Sequence, residues 1–372
     1  MKINKGFGMA VLPQLTIHSI KAVGVLVPMA RPLGTSAQTI THAPLMLIDL
    51  LTEEGVTGRS YLFCYVPSAA GAIEHILSDI SLRLKGKKVV PLEINQLLNQ
   101  AFRLIGVRGV VSMAIAGIDV ACWDAMAQAA QMPLATLLGG HPQAVRAYNS
   151  CGLGLMAPEA AADEAIELLV GGFSAVKLRL GRQNANIDLQ AIRIVRKRLP
   201  DDIELMVDFN QALSLPEAIR RCKMIDGEGL SWIEEPIRHD DYAGYAQLSR
   251  EFKTPMQFGE NFTGYFAMTE AIKAQSSHLM MPDLERIGGV TGWLKAASLG
   301  ATAGIDISTH LFPEVSAHLL AITPTAHWLE YVDWASPILK DALEIIDGNA
   351  KPRAVPGTGI EWNEDAVAKY KI

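Results

Sequence analysis

The fold is decided by three stretches of sequence: IELMVDFN (203–210), LSWIEEP (230–236) and MQFGEN (256–261). Each is a short apolar run that ends in a carboxylate, and Asp208, Glu234 and Glu260 follow one another at intervals of 26 residues. An interval of this length has room for one strand and one helix. Strands that are buried on both faces are continuous apolar runs, so the pattern predicts a parallel sheet covered by helices.

The same pattern extends on both sides of these stretches. Eight apolar runs are separated by helical stretches: Val145–Ser150, Ala175–Leu180, Ile203–Phe209, Leu230–Glu234, Met256–Gly259, His278–Met281, Asp306–Thr309 and Trp328–Glu330. Pro158 is placed to start one of the helices and Pro200 to end another. Eight strands alternating with helices predict a (β/α) barrel in which one helix is short or missing. A doubly wound sheet is the alternative, but no GxGxxG motif follows the first strand.

The first part of the chain has a different organisation. Strands and helices are mixed there, with strand-like runs at Ile17–Val27, Leu45–Leu51 and Thr57–Phe63 and helical stretches at Ala69–Leu82 and Val111–Ala130. Two glycines and a proline then interrupt the chain at 139–142. We therefore expect three parts: an α+β domain (1–140), the barrel (141–340) and a C-terminal segment that packs back on the first domain (341–372).

Composition and charge limit the classes of protein. The chain has 372 residues, of which 49% are hydrophobic and 19% charged, so it can form a large core. Its formal charge of −6 argues against a nucleic-acid partner and, more weakly, against an anionic membrane surface. No membrane span is expected, because Arg108 and Asp119 interrupt the most apolar region, Leu104–Trp123.

The N-terminus and the cysteines indicate the compartment. Lys2 and Lys5 precede only a short apolar stretch that ends at Pro13, so no signal peptide is predicted. The four cysteines are far apart and form no CxxC motif: Cys64, Cys122, Cys151 and Cys222. We expect them to be buried free thiols in a reducing environment, which predicts a cytoplasmic protein.

Three of the strand-end carboxylates point to a metal ion. The carboxyl ends of barrel strands meet at the mouth of the barrel, where active sites of this fold lie. Asp208, Glu234 and Glu260 would repel one another there unless a cation neutralises them. Oxygen ligands with room for water or substrate favour Mg²⁺ over Zn²⁺, which prefers His or Cys. We predict one Mg²⁺ ion per subunit, held by these three side chains.

Charged side chains also end the other runs. Lys177 and Arg179 alternate along the second run and therefore point to the same, inward side. Asp283, His310 and Glu330 end the sixth, seventh and eighth runs. An aspartate beside a histidine fixes the imidazole tautomer and raises its basicity, so this pair is a candidate for acid–base chemistry. The next two histidines along the chain do not stand at the end of an apolar run and are expected to be structural: His318 and His327.

The sequence resembles the enolase superfamily and, within it, the mandelate racemase/muconate lactonizing enzyme family. The resemblance covers almost the whole chain and is carried by an ordered set of segments: APLMLIDL, SYLFCYVP, AGIDVACWDA, AVKLRLG, MVDFNQ, WIEEP, FGEN, MPD with IGGVTGW, STHLF and AHLLAITPTAHWLE. It implies an α/β protein with a modified (β/α)7β TIM barrel and an N-terminal α+β capping domain. It also implies a homo-oligomer, with an octamer as one form to test.

The resemblance further implies a reaction and a set of residue roles. The reaction is removal of the proton α to a carboxylate, which gives a metal-stabilised enediolate. Asp283 and His310 resemble the dyad that supplies one base, and Asn210 resembles the residue that contacts the metal site or the α-hydroxyl. Glu330 resembles the acid that hydrogen-bonds the substrate carboxylate, and it would donate that bond if neighbouring acids raise its pKa. The implied metal ligands are again Asp208, Glu234 and Glu260.

One position departs from the family pattern. The second strand of the family reads Lys-x-Lys, and its second lysine is the base on one face of the substrate; this chain has Lys177 followed by Arg179. Only about 10⁻⁵ of a guanidinium is neutral near pH 7, which costs a guanidine base roughly 7 kcal/mol. A racemase needs a base on each face. A dehydratase needs only His310, which removes the α-proton and returns a proton to the departing β-hydroxyl, with Arg179 as an electrostatic or carboxylate-binding group.

The implied substrate pocket favours racemisation over dehydration. The segments that line the family's pocket correspond mostly to apolar residues, and with one serine from the first run the candidates are Leu33, Ala37, Ile40, Phe63, Tyr65, Leu311, Val332 and Ser150. Arg31 and Thr35 add some polarity in the flap, which is the segment that also carries Leu33, Ala37 and Ile40. A polyhydroxylated acid needs hydrogen-bonding partners, so an aromatic or aliphatic 2-hydroxy acid fits better. The leading hypothesis is Mg²⁺-dependent racemisation of a 2-hydroxy carboxylate, with acid-sugar dehydration as the alternative.

Two other classes of protein stay open. A Schiff-base lyase would use Lys177 as its nucleophile, but it leaves the three metal-type carboxylates without a role. A non-catalytic, metal-dependent binding protein is the second class, and in it Arg179 marks a lost activity. Such a protein binds its ligand without exchanging the α-proton with solvent.

Overall fold

The N-terminal part of the chain is built on a three-stranded antiparallel sheet. The computed structural model describes residues 14–36 and 38–372, so the predicted pocket residue Ala37 lies outside the described residues. The sheet has the order β1-β2-β3 and consists of β1 (Ile17–Gly34), β2 (Thr39–Thr52) and β3 (Thr57–Phe63). Four helices follow it: α1 (Pro67–Leu84), α2 (Pro91–Ala101), α3 (Val110–Ala129) and α4 (Leu134–Leu137). The predicted α+β cap is confirmed.

Eight parallel strands form the second part of the chain. They are β4 (Val145–Asn149), β5 (Ala175–Arg179), β6 (Glu204–Asp208), β7 (Ile233–Glu234), β8 (Met256–Phe258), β9 (Leu279–Met280), β10 (Asp306–Ile307) and β11 (Leu329–Tyr331). The strands β4 to β10 are paired in chain order, and β11 pairs with β4. Each of the eight strands overlaps one of the eight apolar runs of the sequence.

Helices separate these strands in sequence. They are α5 (Pro158–Glu167), α6 (Ala185–Arg198), α7 (Leu215–Ile225), α8 (Tyr242–Glu251), α9 (Gly264–Lys273), the short α10 (Leu284–Ile287), α11 (Gly289–Ala303) and α12 (Pro313–Leu320). Every strand but the last is followed by a full helix, which confirms the (β/α)7β barrel. The doubly wound sheet is therefore excluded.

Side-chain alternation divides the barrel interior into two layers. On β5 all five residues are buried, and Ala175, Lys177 and Arg179 share the inward side. Nearest the amino ends of the strands, an aromatic cluster fills the interior; its members are Tyr148, Ala175, Met206, Trp232 and Trp328. The inward residues one step further along the strands are charged. The cluster therefore lies directly beneath the charged layer inside the barrel.

Helix α3 joins the cap to the barrel, and most of its residues are buried. A Cβ atom at Gly58 on β3 would lie 2.0 Å from the carbonyl oxygen of Ala121, so only glycine allows this close approach. By length and hydropathy alone α3 could cross a membrane, but 83% of its most apolar window is buried inside the protein. Core helices pass the same test, so this match is weak evidence for a span.

The C-terminal segment contacts both domains. Its hairpin, β12 (Ile345–Ile346) and β13 (Asn349–Ala350), pairs antiparallel with β4 of the barrel. Its last helix, α13 (Glu364–Tyr370), packs on β1 of the cap, and Trp362 Nε1 donates to Asp49 Oδ1 at 2.8 Å. The expectation that the segment packs on the cap therefore describes only its second half.

Buried His318 makes the stability of this junction dependent on pH. Its Nδ1 accepts from the Ala135 amide at 3.3 Å and its Nε2 lies 3.3 Å from the Thr358 carbonyl, an arrangement that suits the neutral imidazole. Burial lowers the pKa of His318 to about 4, below the usual value of about 6.5. The stabilisation is therefore complete above pH 6.5 and is lost as the pH falls towards 4, by about 3 kcal/mol.

We expect His318→Gln to remove this contribution to the pH dependence, since glutamine does not titrate. Denaturant unfolding of wild type and variant at pH 7.5 and pH 5 measures the difference. Equal loss of stability on acidification in both proteins would contradict the prediction.

Candidate active site

The carboxyl ends of the barrel strands face the cap across a cavity of about 210 Å³. Asp208 and Glu234 are register partners at the ends of β6 and β7, and Glu260 follows the end of β8. Twelve of the predicted site residues line the cavity: Leu33, Ile40, Phe63, Tyr65, Lys177, Arg179, Asp208, Asn210, Glu260, His310, Leu311 and Glu330. Four others are buried behind this lining: Ser150, Glu234, Asp283 and Val332.

Lys177 is the centre of an ion-pair network under the cavity. Its Nζ lies 2.5 Å from Glu234 Oε1, 2.7 Å from Glu330 Oε1 and 3.6 Å from Asp208 Oδ2. Burial by itself would lower the pKa of Lys177, but Glu234 and Glu330 more than reverse this and raise the pKa above its usual value. A lysine held in the ammonium form is a poor nucleophile, so the Schiff-base hypothesis for Lys177 is not supported.

Arg179 is fixed in place as a cation. Its Nη2 donates to Ser150 Oγ at 3.0 Å, its Nη1 donates to the Lys177 carbonyl at 3.3 Å, and its Nε lies 3.6 Å from Asp208 Oδ2. Although burial opposes the charge, Asp208 and Glu330 raise the pKa of Arg179 further. The side chain is therefore even less able to act as a base than an exposed arginine.

His310 and Asp283 form the predicted dyad. His310 Nδ1 lies 2.6 Å from Asp283 Oδ2. The other oxygen of Asp283 caps α10 by accepting from the amides of Glu285 at 2.8 Å and Arg286 at 3.0 Å. Because these bonds fix the carboxylate, Nδ1–H donates to Asp283 and Nε2 is left for the cavity.

The Nε2 atom of His310 is in turn paired with acids. It lies 3.1 Å from Glu260 Oε2 and 3.9 Å from Glu330 Oε2. Burial works against the imidazolium form, but Glu260 and Glu330 raise the pKa of His310 well above its usual value. A divalent cation on Glu260 would offset this negative charge and favour the neutral imidazole, which is the form that can accept a proton.

Glu330 does not meet the expectation of a protonated donor. Burial tends to raise its pKa, yet Lys177 and His310 lower it below the ordinary range, so Glu330 is an ionised acceptor. Its Oε2 accepts from the Leu311 amide at 3.1 Å. The sequence argument weighed only the neighbouring acids, whereas the nearest group is the ammonium of Lys177.

The backbone is strained where it carries these groups. Five non-glycine residues at the ends of β6, β7 and β10 have left-handed φ angles: Asn210 (46°), Gln211 (63°), Glu235 (37°), Leu311 (52°) and Phe312 (50°). Such angles cost free energy for residues with a Cβ atom and are common at functional sites. These angles turn the chain sharply at the point where each strand ends.

The three predicted magnesium ligands are each held by a hydrogen-bonding or cationic neighbour. Lys177 pairs with Glu234, His310 pairs with Glu260, and the Asn210 amide donates to Asp208 at 2.7 Å. Among residues 14–36 and 38–372, no three acidic, histidine or cysteine side chains are grouped closely enough to hold an ion as they stand. The ligand set therefore stays a prediction.

The chemistry of the donors nevertheless fits a hard cation. Asn210 Oδ1 and Glu235 Oε1 are buried and have no hydrogen-bond partner among the described residues. Burial, opposed by Lys177 and reinforced by Asp208, raises the pKa of Glu234 to about 8. Crowded acids and unpaired buried oxygens are the surroundings that an oxygen-coordinated Mg²⁺ stabilises.

Sequence reasoning missed five residues that line the cavity: Gln38, Gln211, Asn261, Arg286 and Trp334. Four of them lie within four positions of a strand-end acid, so extending each run into its loop would have found them. Gln38 lies in the flap between β1 and β2. These residues, with Thr35, make the cavity more polar than the sequence indicated, while Leu33, Ile40, Phe63 and Trp334 keep one side apolar.

Fold and site together define a barrel enzyme with acids, bases and cations gathered at the strand ends. Residues 18–139 match the family model "Mandelate racemase / muconate lactonizing enzyme, N-terminal domain", and residues 160–366 match "Enolase C-terminal domain-like". The chain therefore belongs to the mandelate racemase/muconate lactonizing enzyme family of the enolase superfamily. Its relatives include dehydratases, cycloisomerases and epimerases, in agreement with the expectation of an isomerase or a lyase.

Three relatives illustrate the range of proteins to which the chain is similar. L-talarate/galactarate dehydratase of Salmonella typhimurium strain LT2 is 30% identical over 363 residues, covering 94% of this chain and 90% of its own. L-Ala-D/L-Glu epimerase of Bacillus subtilis strain 168 is 25% identical, covering 84% of this chain and 85% of its own. A Bradyrhizobium enolase solved with magnesium and mandelic acid is 40% identical with a TM-score of 0.93, covering 97% of this chain and all of its own.

Proposed function

We propose that the protein removes the α-proton of a 2-hydroxy carboxylate with His310 as the base and Mg²⁺ as the cofactor. The observation that carries this proposal is the dyad: Asp283 holds His310 at 2.6 Å, and His310 lines the cavity together with Lys177, Arg179 and Glu330. The two cations are placed to bind a substrate carboxylate, and His310 to take a proton from the adjacent carbon.

The cofactor assignment is supported by the donors and by the relatives. Asp208, Glu234 and Glu260 would hold the ion, and the Bradyrhizobium enolase was solved with magnesium. When bound, Mg²⁺ stabilises the negative charge that develops on the substrate carboxylate as the α-proton leaves. One ion per subunit is sufficient for this role.

Between the two reactions that the sequence left open, the site geometry supports dehydration better. Dehydration needs one base, and Arg179 is a fixed cation rather than a second base. In this reaction His310 takes the α-proton, the bond from the β-carbon to its hydroxyl breaks, and the same proton leaves with that oxygen as water. The enol then tautomerises to a 2-keto-3-deoxy acid. Thr35, Gln38, Asn210 and Gln211 provide partners for substrate hydroxyls.

Racemisation is the second candidate, and two observations favour it. One side of the cavity is apolar, with Leu33, Ile40, Phe63 and Trp334. The Bradyrhizobium relative holds mandelic acid, a small aromatic 2-hydroxy acid. In this reaction a group other than His310 must return a proton to the opposite face of the α-carbon.

One experiment separates these reactions. The Mg²⁺-loaded protein is incubated in D₂O with both enantiomers of mandelate and with a panel of six-carbon sugar acids, and the products are followed by ¹H NMR. We expect a 2-keto-3-deoxy product from a sugar acid. Deuterium at the α-carbon with inversion of mandelate would establish racemisation instead, and no exchange with any acid would refute α-proton removal.

We expect the two faces of the α-carbon to differ strongly in exchange rate, because His310 serves one face and Arg179 the other. Arg179→Lys places a tunable amine at the second position and should increase exchange on that face, provided the shorter side chain reaches the carbon. The ratio of the exchange rates of two enantiomers, before and after the change, measures the effect. Equal rates in wild type would show that the pKa argument for Arg179 is wrong.

The proposal includes a homo-oligomer located in the cytoplasm. All four cysteines are free and buried in the structure, which is typical of a reducing compartment. Leu104, Ile105 and Phe266 are large apolar residues with 93%, 75% and 70% of their surface exposed, as subunit contacts often are in an isolated chain. Analytical ultracentrifugation tests the oligomeric state, and a sedimenting species of 40.3 kDa would refute it.

A further inference from the structure

Glu285 is a buried acid that has no part in the proposed chemistry. It lies in the first turn of the short helix α10, two residues after Asp283, and only 1% of its surface is exposed. Its Oε2 accepts from the Phe63 amide of the cap at 3.1 Å, while its Oε1 has no hydrogen-bond partner among the described residues. Burying a carboxyl group with one oxygen unpaired costs free energy, so a role for this acid is expected.

The cap side of this contact follows from the order of the strands. Strand β3 lies at the edge of the cap sheet, so the amides on its outer side have no partner strand. A buried amide needs an acceptor, and Asp124 accepts from the Arg59 amide at 2.8 Å in this way. Glu285 accepts from Phe63, the last residue of the strand. The carboxyl end of the edge strand is thus fixed to the barrel domain.

The barrel side of the contact reaches the dyad. The Glu285 amide donates to Asp283 at 2.8 Å, and Asp283 lies 2.6 Å from Nδ1 of His310. Glu285 therefore holds the cap by its side chain and the aspartate of the dyad by its backbone. Phe63 lines the cavity and packs on the Trp334 ring, with ring centres 5.0 Å apart. A continuous set of contacts connects the apolar side of the cavity to the proposed base.

The charge state of Glu285 suits a hydrogen-bonding role. Burial, reinforced by Asp283, raises the pKa of Glu285 well above its usual value, although Arg286 and the Phe63 amide act against this. The uncharged carboxyl is therefore favoured, and Asp283 stays the anion that faces the imidazole. Glutamine has the shape and the carbonyl acceptor of an uncharged carboxyl, whereas methionine has a similar length and no carbonyl.

We propose that Glu285 is a positioning residue that makes the orientation of the Asp283–His310 dyad depend on where the cap places Phe63. The inference rests on the proposed function, since that function assigns the base to His310. A substrate that packs on Phe63 shifts the amide that Glu285 accepts from, and α10 carries this shift to Asp283. Groups that hold a working side chain from behind commonly change activity 10- to 100-fold when they are removed.

The first readout is the imidazole of His310, and it needs no substrate. Wild type, Glu285→Gln and Glu285→Met are loaded with Mg²⁺, labelled with ¹⁵N in histidine and compared by NMR. The Nδ1–H signal that disappears in His310→Asn identifies the residue. We expect this signal to be kept in the glutamine variant and to exchange with water about 10-fold faster in the methionine variant. Glu285→Ala also lacks the acceptor and takes the place of the methionine variant where that protein does not fold.

The matched control is Tyr61→Phe. The Tyr61 hydroxyl donates to Glu314 of α12 at 2.5 Å, so this change also removes one hydrogen bond between β3 and the barrel. In the part of the chain that the structure describes, the Glu314 side chain makes no hydrogen bond to either residue of the dyad. We expect the His310 signal of this control to match wild type.

The second readout is the rate of α-proton exchange with an acid that the wild type accepts. We expect kcat to fall about 10- to 100-fold in Glu285→Met and to change less than about 2-fold in Glu285→Gln. Rescue by glutamine separates the lost acceptor from the lost acid. If the wild type exchanges no acid, the proposed function fails, while the NMR comparison still decides the role of Glu285.

Three results would overturn the proposal. A wild-type His310 signal in both acceptor-free variants would show that the cap contact does not reach the dyad. The same change in Tyr61→Phe as in Glu285→Met would show a general loosening of the cap. A loss in Glu285→Gln as large as in Glu285→Met would show that the hydrogen bond to Phe63 is not what positions the dyad.

Discussion

Replacement of His310 by asparagine is expected to slow α-proton exchange by a factor of about 10³ to 10⁴. Asparagine has a similar shape and can still donate a hydrogen bond to Asp283, so the change removes the base while the local packing is kept. The structure leaves only Nε2 of this ring for the substrate, since Nδ1 is bonded to Asp283 at 2.6 Å. Loss of the α-proton signal in D₂O, followed by ¹H NMR, measures the rate.

The matched variant is Asp283→Asn. It keeps the imidazole but weakens its basicity and its orientation, so we expect a smaller loss, about 10- to 100-fold. The order of the two effects matters more than their size. Wild-type exchange in the His310 variant, or a larger loss in the Asp283 variant, would show that proton transfer takes place at another group.

Much of the fold can be predicted from the sequence because burial leaves a simple pattern. Parallel strands covered on both faces are largely apolar, so even the two-residue strands β7, β9 and β10 lie in recognisable runs. The 26-residue spacing of Asp208, Glu234 and Glu260 places them at successive strand ends. The C-terminal segment was only half predicted, since its pairing with β4 depends on a contact about 200 residues away in sequence.

The electrostatics of the site was less predictable. Glu330 was expected to be surrounded by acids, but the fold brings Lys177 Nζ to 2.7 Å from it and so reverses the direction of its pKa shift. Arg286 was missed because a charged residue three positions after a strand end is usually solvated. Only the packing of α10 under the cap turns it towards the cavity. Strand positions can be inferred from periodicity, whereas the pairing of charges depends on distances that only the folded chain defines.

The cap and the barrel both line the cavity, but only the barrel carries the groups proposed to do the chemistry. The barrel supplies the charged groups, and the cap supplies Leu33, Ile40, Phe63 and Tyr65. The Phe63 amide donates to Glu285 at 3.1 Å, two residues after Asp283. Substitutions in the cap are therefore expected to act mainly on substrate choice, while the strand ends determine the reaction.

Removal of any one of the predicted metal ligands is expected to abolish Mg²⁺-dependent activity and to weaken Mg²⁺ binding by about 100-fold, or about 3 kcal/mol. The variants Asp208→Asn, Glu234→Gln and Glu260→Gln each remove one negative charge with little change in shape. In wild type, Mg²⁺ at 100 times its Kd should stabilise the fold by about 2.7 kcal/mol, since it binds only the folded state. Each variant should lose most of that stabilisation.

Calorimetry and thermal unfolding with and without Mg²⁺ separate this effect from simple misfolding, because a misfolded variant would also unfold at a lower temperature without the ion. Glu314→Gln is the matched control: Glu314 is a buried acid bonded to Tyr61 at 2.5 Å, outside the cavity, and glutamine can keep that bond. It should retain full Mg²⁺ affinity. Unchanged Mg²⁺ affinity in all three strand-end variants would show that the cation binds elsewhere. The three acids at the barrel mouth would then have no role as metal ligands.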